Sequence, residues 1–113
     1  MAQQPRAGQG ESTKDLLFDL HNAAYSGSLE KVRRALSNGA DVNAWHERTG
    51  LTALHLAVGT NNLELVKYLL ETAGAELVPD KSGRWPTVIA AQCYASEDLC
   101  DYIVEQEAKL QET

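Results

Sequence analysis

Apolar residues recur along the chain at the spacing of one face of an α-helix. Two sets of three share this spacing: Leu29, Val32 and Leu36, and then Leu63, Val66 and Leu70. Apolar positions three and four residues apart lie on one side of a helix, which buries them against a neighbour. The second set predicts a helix over about residues 62–72. A shorter helix with small residues, such as Ala57 and Gly59, is predicted just before it, over about residues 52–60.

The residues around these helices also repeat. The run LHNAA at residues 20–24 returns as LHLAV at residues 54–58, which is 34 residues later. The run NGADV at residues 38–42 is matched by AGAEL at residues 73–77, after an insertion of one residue. A third copy starts with DKSG at residues 80–83. A period of this length indicates a solenoid, in which each helix pair buries its apolar face against the next pair.

Glycine and proline mark where the predicted helices end and begin. Gly39 and Gly74 follow the second helix of their copies, where a left-handed residue closes a helix. Pro86 lies near the first turn of a helix in the third copy, where its missing N–H is harmless. The third copy gains one residue between its helices, around residues 94–96. These positions divide most of the chain into three helix pairs.

Two segments of the chain resemble the ankyrin-repeat family. Residues 52–55 (TALH) are similar to the family's Thr-Pro-Leu-His motif, and residues 38–44 (NGADVNA) are similar to its loop motif. The resemblance covers roughly residues 15–110. It implies two antiparallel helices per repeat, a protruding β-turn finger between repeats, and a concave face of fingers and first helices that binds proteins. We therefore expect an all-α ankyrin-repeat solenoid of three stacked helix-turn-helix pairs joined by β-turn fingers.

The repeat pattern also predicts the domain boundaries. Repeats are expected at about residues 14–45, 46–79 and 80–113, within one domain that spans residues 14–113. Residues 1–13 are polar and lack the apolar stretch of a secretory signal, so we expect a flexible tail. The first and third copies depart from the motif. Since a terminal repeat has one face without a neighbour, we expect both to act as caps.

The net charge of −6 is distributed unevenly along the sequence. Residues 1–59 carry six basic and six acidic residues, whereas residues 60–113 carry four basic and ten acidic residues. An acidic surface repels phosphate groups, so we expect a basic partner protein rather than nucleic acid or a membrane. No apolar run approaches the roughly 20 residues that span a bilayer. The chain is accordingly expected to be cytoplasmic, and monomeric when free.

No motif in the sequence indicates catalysis, a cofactor or a metal site. His21 and His55 share one repeat position. In ankyrin-like repeats this histidine hydrogen-bonds to a neighbouring loop, which favours a structural role over metal binding. Cys93 and Cys100 fit no zinc or redox spacing, and we interpret them as reduced cysteines in or near a helical core. We expect neither an enzyme nor a bound cofactor.

Trp45 is the leading candidate for contact with a partner. It lies in the first finger, residues 43–50, which is one residue longer than the family's usual finger. An exposed Trp lowers solubility, and Trp is enriched among the residues that dominate binding energy. His46, Glu47 and Arg48 are expected to form a polar rim around it. The alternative is that Trp45 folds back over apolar side chains of its own repeat.

The other candidate contacts follow from repeat geometry. Tyr25 and Leu56 are expected on the concave face, with a core position as the alternative for Tyr25. Trp85 replaces a threonine of the motif, and it must either repack the cap or point outward. The second finger contributes three more candidates: Asp80, Lys81 and Arg84. Asp80 is the favoured carboxylate because fingers protrude towards the concave side.

Together these features predict a protein that binds another protein through its concave face and fingers. Its role would be that of an inhibitor, an adaptor or an immunity-type partner. The alternative is that the chain is the recognition domain of a longer enzyme or secreted effector, whose catalytic part lies outside this sequence.

Overall fold

The computed structural model describes residues 13–110, which form six helices and no β-strand. The helices are α1 (Thr13–Ser26), α2 (Leu29–Ser37), α3 (Ala53–Gly59), α4 (Leu63–Glu71), α5 (Pro86–Gln92) and α6 (Glu97–Lys109). α1 packs on α2, α3 on α4, and α5 on α6, while α3 also lies between α1 and α5. This arrangement confirms the predicted all-α solenoid of three helix pairs. The predicted tail, residues 1–13, lies outside the described residues except for Thr13.

Side-chain caps explain where most of these helices begin. Ser28, Asn62 and Ser96 each precede a helix and accept a hydrogen bond from the backbone N–H three residues further on. Such a bond satisfies one of the N–H groups that a helix start leaves unpaired. Trp85 precedes α5 and provides no such bond. The Glu107 carboxylate on α6 accepts the N–H of Thr87 instead, at 2.8 Å.

The apolar positions of the second helices form the core, with a small shift from the predicted face. On α4, Val66 is fully buried as predicted, and Leu65 and Leu69 are buried with it. Leu63 and Leu70 are half-buried and pack against this core. The buried face of α4 is wider than the three predicted positions, so Leu63 and Leu70 lie at its edge. The predicted bounds of α3 and α4 are correct to within one residue.

The helix ends confirm the glycine and proline predictions. Gly39 has φ +106°, and the N–H groups of Gly39 and Ala40 bond to carbonyls of α2, which closes the helix with a left-handed residue. Gly74 likewise has a positive φ, and Pro86 is the first residue of α5. Four residues, 93–96, connect α5 to α6, whereas three residues connect α3 to α4. The extra residue in the third copy is therefore present.

Two further observations concern the cysteines and the helix lengths. Cys93 follows the last residue of α5 and is exposed, with its sulfur close to Gly59 of α3, so it lies beside the core and not in it. Cys100 is half-buried and packs against the core, as predicted. Within residues 13–110 no helix combines the length and apolar character needed to cross a bilayer.

Candidate partner-binding site

The first finger is a tight loop built around His46. The N–H of His46 donates to the carbonyl of Leu51 at 2.9 Å, and the N–H of Gly50 donates to the carbonyl of His46 at 2.7 Å. The His46 ring nitrogen Nδ1 also accepts the N–H of Arg48 at 3.0 Å and that of Thr49 at 3.3 Å. His46 is thus predominantly a structural residue of the finger, rather than only part of a rim.

Trp45 lies on the surface of this finger, beside a groove that α1 helps to form. Its side chain is 45% exposed, and the Lys81 ammonium lies 5.8 Å from the ring centroid. The groove is lined by α1 and by the finger: Lys14, Asp15, Leu17, Phe18, Trp45, His46, Glu47 and Arg48. Glu47 is held by Lys14 at 3.7 Å. The finger therefore presents an aromatic ring with charged residues on both sides.

Phe18 is an exposed aromatic residue of this groove that we did not predict as a contact. It is 58% exposed on α1. Its repeat position is occupied by Thr52 in the middle copy, and Thr52 is buried as the cap of α3. The replacement of a buried cap residue by an exposed Phe was visible in the sequence. Its proximity to Trp45 was not, because it depends on how the finger folds against α1.

The two fingers contact each other at Gly50 and Lys81. The Lys81 N–H donates to the Gly50 carbonyl at 3.0 Å. Gly50 has φ +74°, and a Cβ at this position would lie 2.8 Å from the Lys81 Cβ. Only glycine fits here without a shift of the fingers, since both the backbone angle and the space exclude a side chain. This contact brings Lys81 over Trp45 and makes the fingers one surface.

Asp80 does not act as the surface carboxylate that we expected. Its side chain is fully buried, and one carboxylate oxygen accepts the N–H groups of Ser82 and Arg84 at 2.9 and 2.8 Å. The other oxygen binds the Arg84 guanidinium at 2.9 Å. Burial alone would raise the pKa of Asp80, but these bonds from Arg84 and Ser82 outweigh it and lower the pKa. Asp80 therefore shapes the second finger from inside.

The remaining candidates of the second finger differ in their exposure and in their hydrogen bonds. Arg84 is half-buried, and it also donates to the Gln92 side chain at 3.1 Å. Lys81 is exposed. Trp85 is 39% exposed, so the outward alternative describes it better than full repacking into the cap.

On the first helices, the structure decides between the alternatives for Tyr25. Its side chain is 68% exposed, so the core alternative is wrong. Leu56 is half-buried and packs against the core. Tyr94 was not predicted as a contact, and it is 93% exposed. Its backbone has a positive φ of +55°, as has the backbone of Asn61 at the same position of the middle copy, with φ +59°. A bulky side chain at such an angle is strained.

The two histidines are structural, and each lies against the backbone of the finger that follows it: His21 against Ala44, and His55 against Val78 and Arg84. His55 is buried, and its Nδ1 accepts the N–H of Thr52 at 3.2 Å, which completes the cap of α3. His21 is buried beside His46 of the first finger, with ring centroids 5.4 Å apart. Burial, assisted by the nearby His46, lowers the pKa of His21 to about 4. Residues 13–110 contain no group of three or more potential metal ligands.

Comparison with known proteins gives one family and several longer relatives. A family model for ankyrin repeats in three copies matches residues 20–113. ARF GTPase-activating protein GIT1 of Homo sapiens is 32% identical over 93% of this chain, and human GIT2 is 35% identical over 88%. Ankyrin repeat domain-containing protein 40 of Mus musculus is 30% identical over 65% of the chain. The chain spans 14% of the length of GIT1 and 20% of that of the mouse protein.

Proposed function

From the premise that this chain belongs to the ankyrin-repeat family, we propose that it binds a partner protein through its concave face and first finger. Repeats of this family generally mediate protein–protein interaction and are typically non-catalytic. The observation that carries the proposal is the exposure of Trp45 and Phe18 beside one groove. Two large apolar side chains close together on a surface mark an interaction site, because their exposure to water is unfavourable.

The contact residues that we propose extend from the groove along the concave face. The set is Phe18, Tyr25, Trp45, Glu47, Arg48, Leu56, Lys81, Arg84 and Trp85, with His46 and Asp80 holding the fingers in shape. The partner role would be that of an inhibitor, adaptor or immunity-type protein that is not itself an enzyme. We place it in the cytoplasm as a monomer when free.

The acidic second half of the chain supports a basic surface on the partner. Its exposed carboxylates lie mainly on the two outer helices α4 and α6: Glu64, Glu71, Glu97, Asp98, Asp101 and Glu105. Charges of one sign on a surface accelerate the approach of the opposite sign. The proposed partner therefore has an apolar anchor for the first finger and a basic region for the outer helices.

A second candidate function rests on the lengths of the relatives. The GIT proteins are named as ARF GTPase-activating proteins, and the chain matches only 14% of GIT1. Under this alternative the chain is the recognition domain of a longer enzyme or effector. A single transcript that encodes these residues together with a catalytic domain would support it, and a transcript that encodes this chain alone would exclude it.

Comparative capture tests the proposed site. Tagged parent chain and Trp45→Ala are used to capture proteins from the source cells, with quantification by mass spectrometry. Arg33→Ala, an exposed change on α2, is the control. We expect Trp45→Ala to weaken the affinity for a captured partner by roughly 2 kcal/mol with an unchanged melting temperature, as for residues that dominate binding energy. An early-melting variant that binds with parental affinity when folded would show that Trp45 only supports its own repeat.

A further inference from the structure

The two ends of the solenoid differ in the residues that they expose. In the middle repeat, Ala53 and Leu65 are fully buried. The first repeat carries Asp19 and Lys31 at the same positions, 34 residues earlier, and both are exposed. The end formed by α1 and α2 therefore replaces core residues with charged ones. Charged residues at these positions suit a face that is in contact with water.

The opposite end, formed by α5 and α6, keeps apolar residues exposed. We call four residues the terminal face: Val88, Ala91, Cys100 and Val104. Val88 is 40% exposed and Val104 is 51% exposed. Ala91 is also exposed, and Cys100 is half-buried. They correspond in repeat position to His55, Val58, Val66 and Leu70, of which the first three are buried. Among residues 13–110, these positions are therefore covered in the middle repeat and open in the third.

The contacts between the second and third repeats show what such a cover does. Glu71 on α4 accepts a hydrogen bond from the Tyr102 hydroxyl at 2.5 Å, and the Lys67 ammonium lies 5.5 Å from the Tyr102 ring centroid. These two residues therefore point towards the following repeat. Their counterparts on α6 are Asp101 and Glu105, which are both exposed. The terminal face is therefore bordered by two carboxylates that face whatever would cover it.

From this geometry we infer that the terminal face binds an amphipathic helix of a partner protein. The apolar side of that helix covers Val88, Ala91, Cys100 and Val104, and its flanking Lys or Arg residues pair with Asp101 and Glu105. The inference deepens the proposed function, because it assigns the partner's basic region to one surface. A second copy of this chain fits poorly, since symmetric packing would bring the same carboxylates against each other.

A pair of synthetic peptides tests the inference on the full chain. The first is an amphipathic helix of about 18 residues with Leu on one side and Lys on the flanks, a length at which helices form in water. The second has Glu in place of Lys. Fluorescence anisotropy with labelled peptide measures the binding of each. We expect saturable binding of the Lys peptide and roughly tenfold weaker binding of the Glu peptide, because charge sign selects the partner.

Three variants locate the binding. Val104→Asp should weaken binding of the Lys peptide by roughly tenfold, because it places a carboxylate in the apolar contact. Asp101→Lys combined with Glu105→Lys should reverse the preference between the peptides. Arg33→Asp, which adds a carboxylate at an exposed position of α2 outside both proposed sites, should change neither affinity. Melting curves verify that each variant is folded.

Several outcomes would overturn the inference. Equal binding of both peptides, no binding, or parental affinity in Val104→Asp would each show that the terminal face is not the site. Concentration-dependent self-association that Val104→Asp abolishes would assign the face to a second copy. The two proposals fail separately: a natural partner that needs Trp45 but not Val104 leaves the proposed function intact. A partner that needs Val104 but not Trp45 removes the proposed first-finger site instead.

Discussion

Individual residues of this chain carry functions that depend on their surroundings rather than on their type. Asp80 and Asp101 are both aspartates of the acidic half, yet Asp80 is fully buried and bound by Arg84, whereas Asp101 is exposed at the end of the solenoid. His21 and His55 occupy one repeat position, but His55 completes the cap of α3, whereas His21 packs against His46 of the first finger. A residue's role here follows from the polar groups that fold around it.

The depressed pKa of His21 predicts a loss of stability in mild acid. Its pKa is about 4 in the folded chain and 6.5 as a free side chain, so the unfolded chain takes up a proton first as the pH falls. Stability is therefore full above about pH 6.5 and declines towards pH 4, by up to about 3 kcal/mol. Urea unfolding of the parent and His21→Leu between these pH values measures the difference. Stability curves that run parallel in pH would contradict the assignment.

Glycine at position 50 should be needed for the contact between the fingers. Gly50→Ala introduces a Cβ at φ +74° and 2.8 Å from the Lys81 Cβ. We expect the free energy of unfolding to decrease by about 1–3 kcal/mol. Gly83→Ala is a matched control, because Gly83 has φ +89° but nothing within 4 Å of the added Cβ. An equal loss in both variants would show that the backbone angle alone matters and that the contact contributes nothing.

At the scale of the helices, most helix starts are capped by the residue that precedes them, and one is capped by a side chain from another helix. Four helices begin at a Ser, Thr or Asn side chain that accepts an N–H of the first turn. α5 begins after Trp85, which cannot do so, and a carboxylate from α6 takes this role. The exchange frees position 85 for an exposed aromatic ring, and it ties the two helices of the last repeat together.

A third prediction for stability concerns the helices of the middle repeat. Leu54→Ala or Val66→Ala should lower the free energy of unfolding by about 2–4 kcal/mol, as other large-to-small changes in a core do. Both side chains are at most 1% exposed. Val88→Ala serves as the control, because Val88 is 40% exposed and its truncation leaves no cavity. Thermal or urea unfolding measures all three, and parental stability in both core variants would mean that the repeat register is wrong.

At the scale of the whole molecule, the aromatic groove and the excess of carboxylates lie in different places. The exposed aromatic residues of the groove, Phe18 and Trp45, lie on the first repeat and its finger. The excess of carboxylates lies on the outer helices α4 and α6. A partner that uses both surfaces contacts the solenoid on two sides. Such contact separates the apolar anchoring from the electrostatic attraction, so the two can be measured independently.

Salt should therefore act on association more than on dissociation. Increasing the salt concentration from about 50 to about 500 mM shortens the Debye length to a few ångströms and should slow association with a captured partner several-fold. Surface-binding or stopped-flow kinetics provides both rate constants. The Trp45→Ala substitution, by contrast, should mainly increase the dissociation rate. Association that is independent of salt would show that the acidic half only keeps the chain soluble.

The sequence alone determined the helices, their number and their stacking order. Helix formation depends on residues three and four apart, and on caps and glycines next to the helix, all of which are local in the chain. The 34-residue offset between LHNAA and LHLAV then specified which helices are equivalent. This is why the bounds of α3 and α4, the left-handed glycines and the place of Pro86 could be predicted.

Only the tertiary structure decided which polar and aromatic side chains remain available to a partner. The sequence predicted Asp80 as a surface carboxylate, but its finger folds around it and buries it. Phe18 lines a groove together with Trp45, which lies 27 residues further along the chain. Likewise, the apolar end of the solenoid becomes visible only when its positions are compared with their buried counterparts. Exposure is a property of what packs against a residue, and in a solenoid the neighbour across each repeat interface comes from the next repeat.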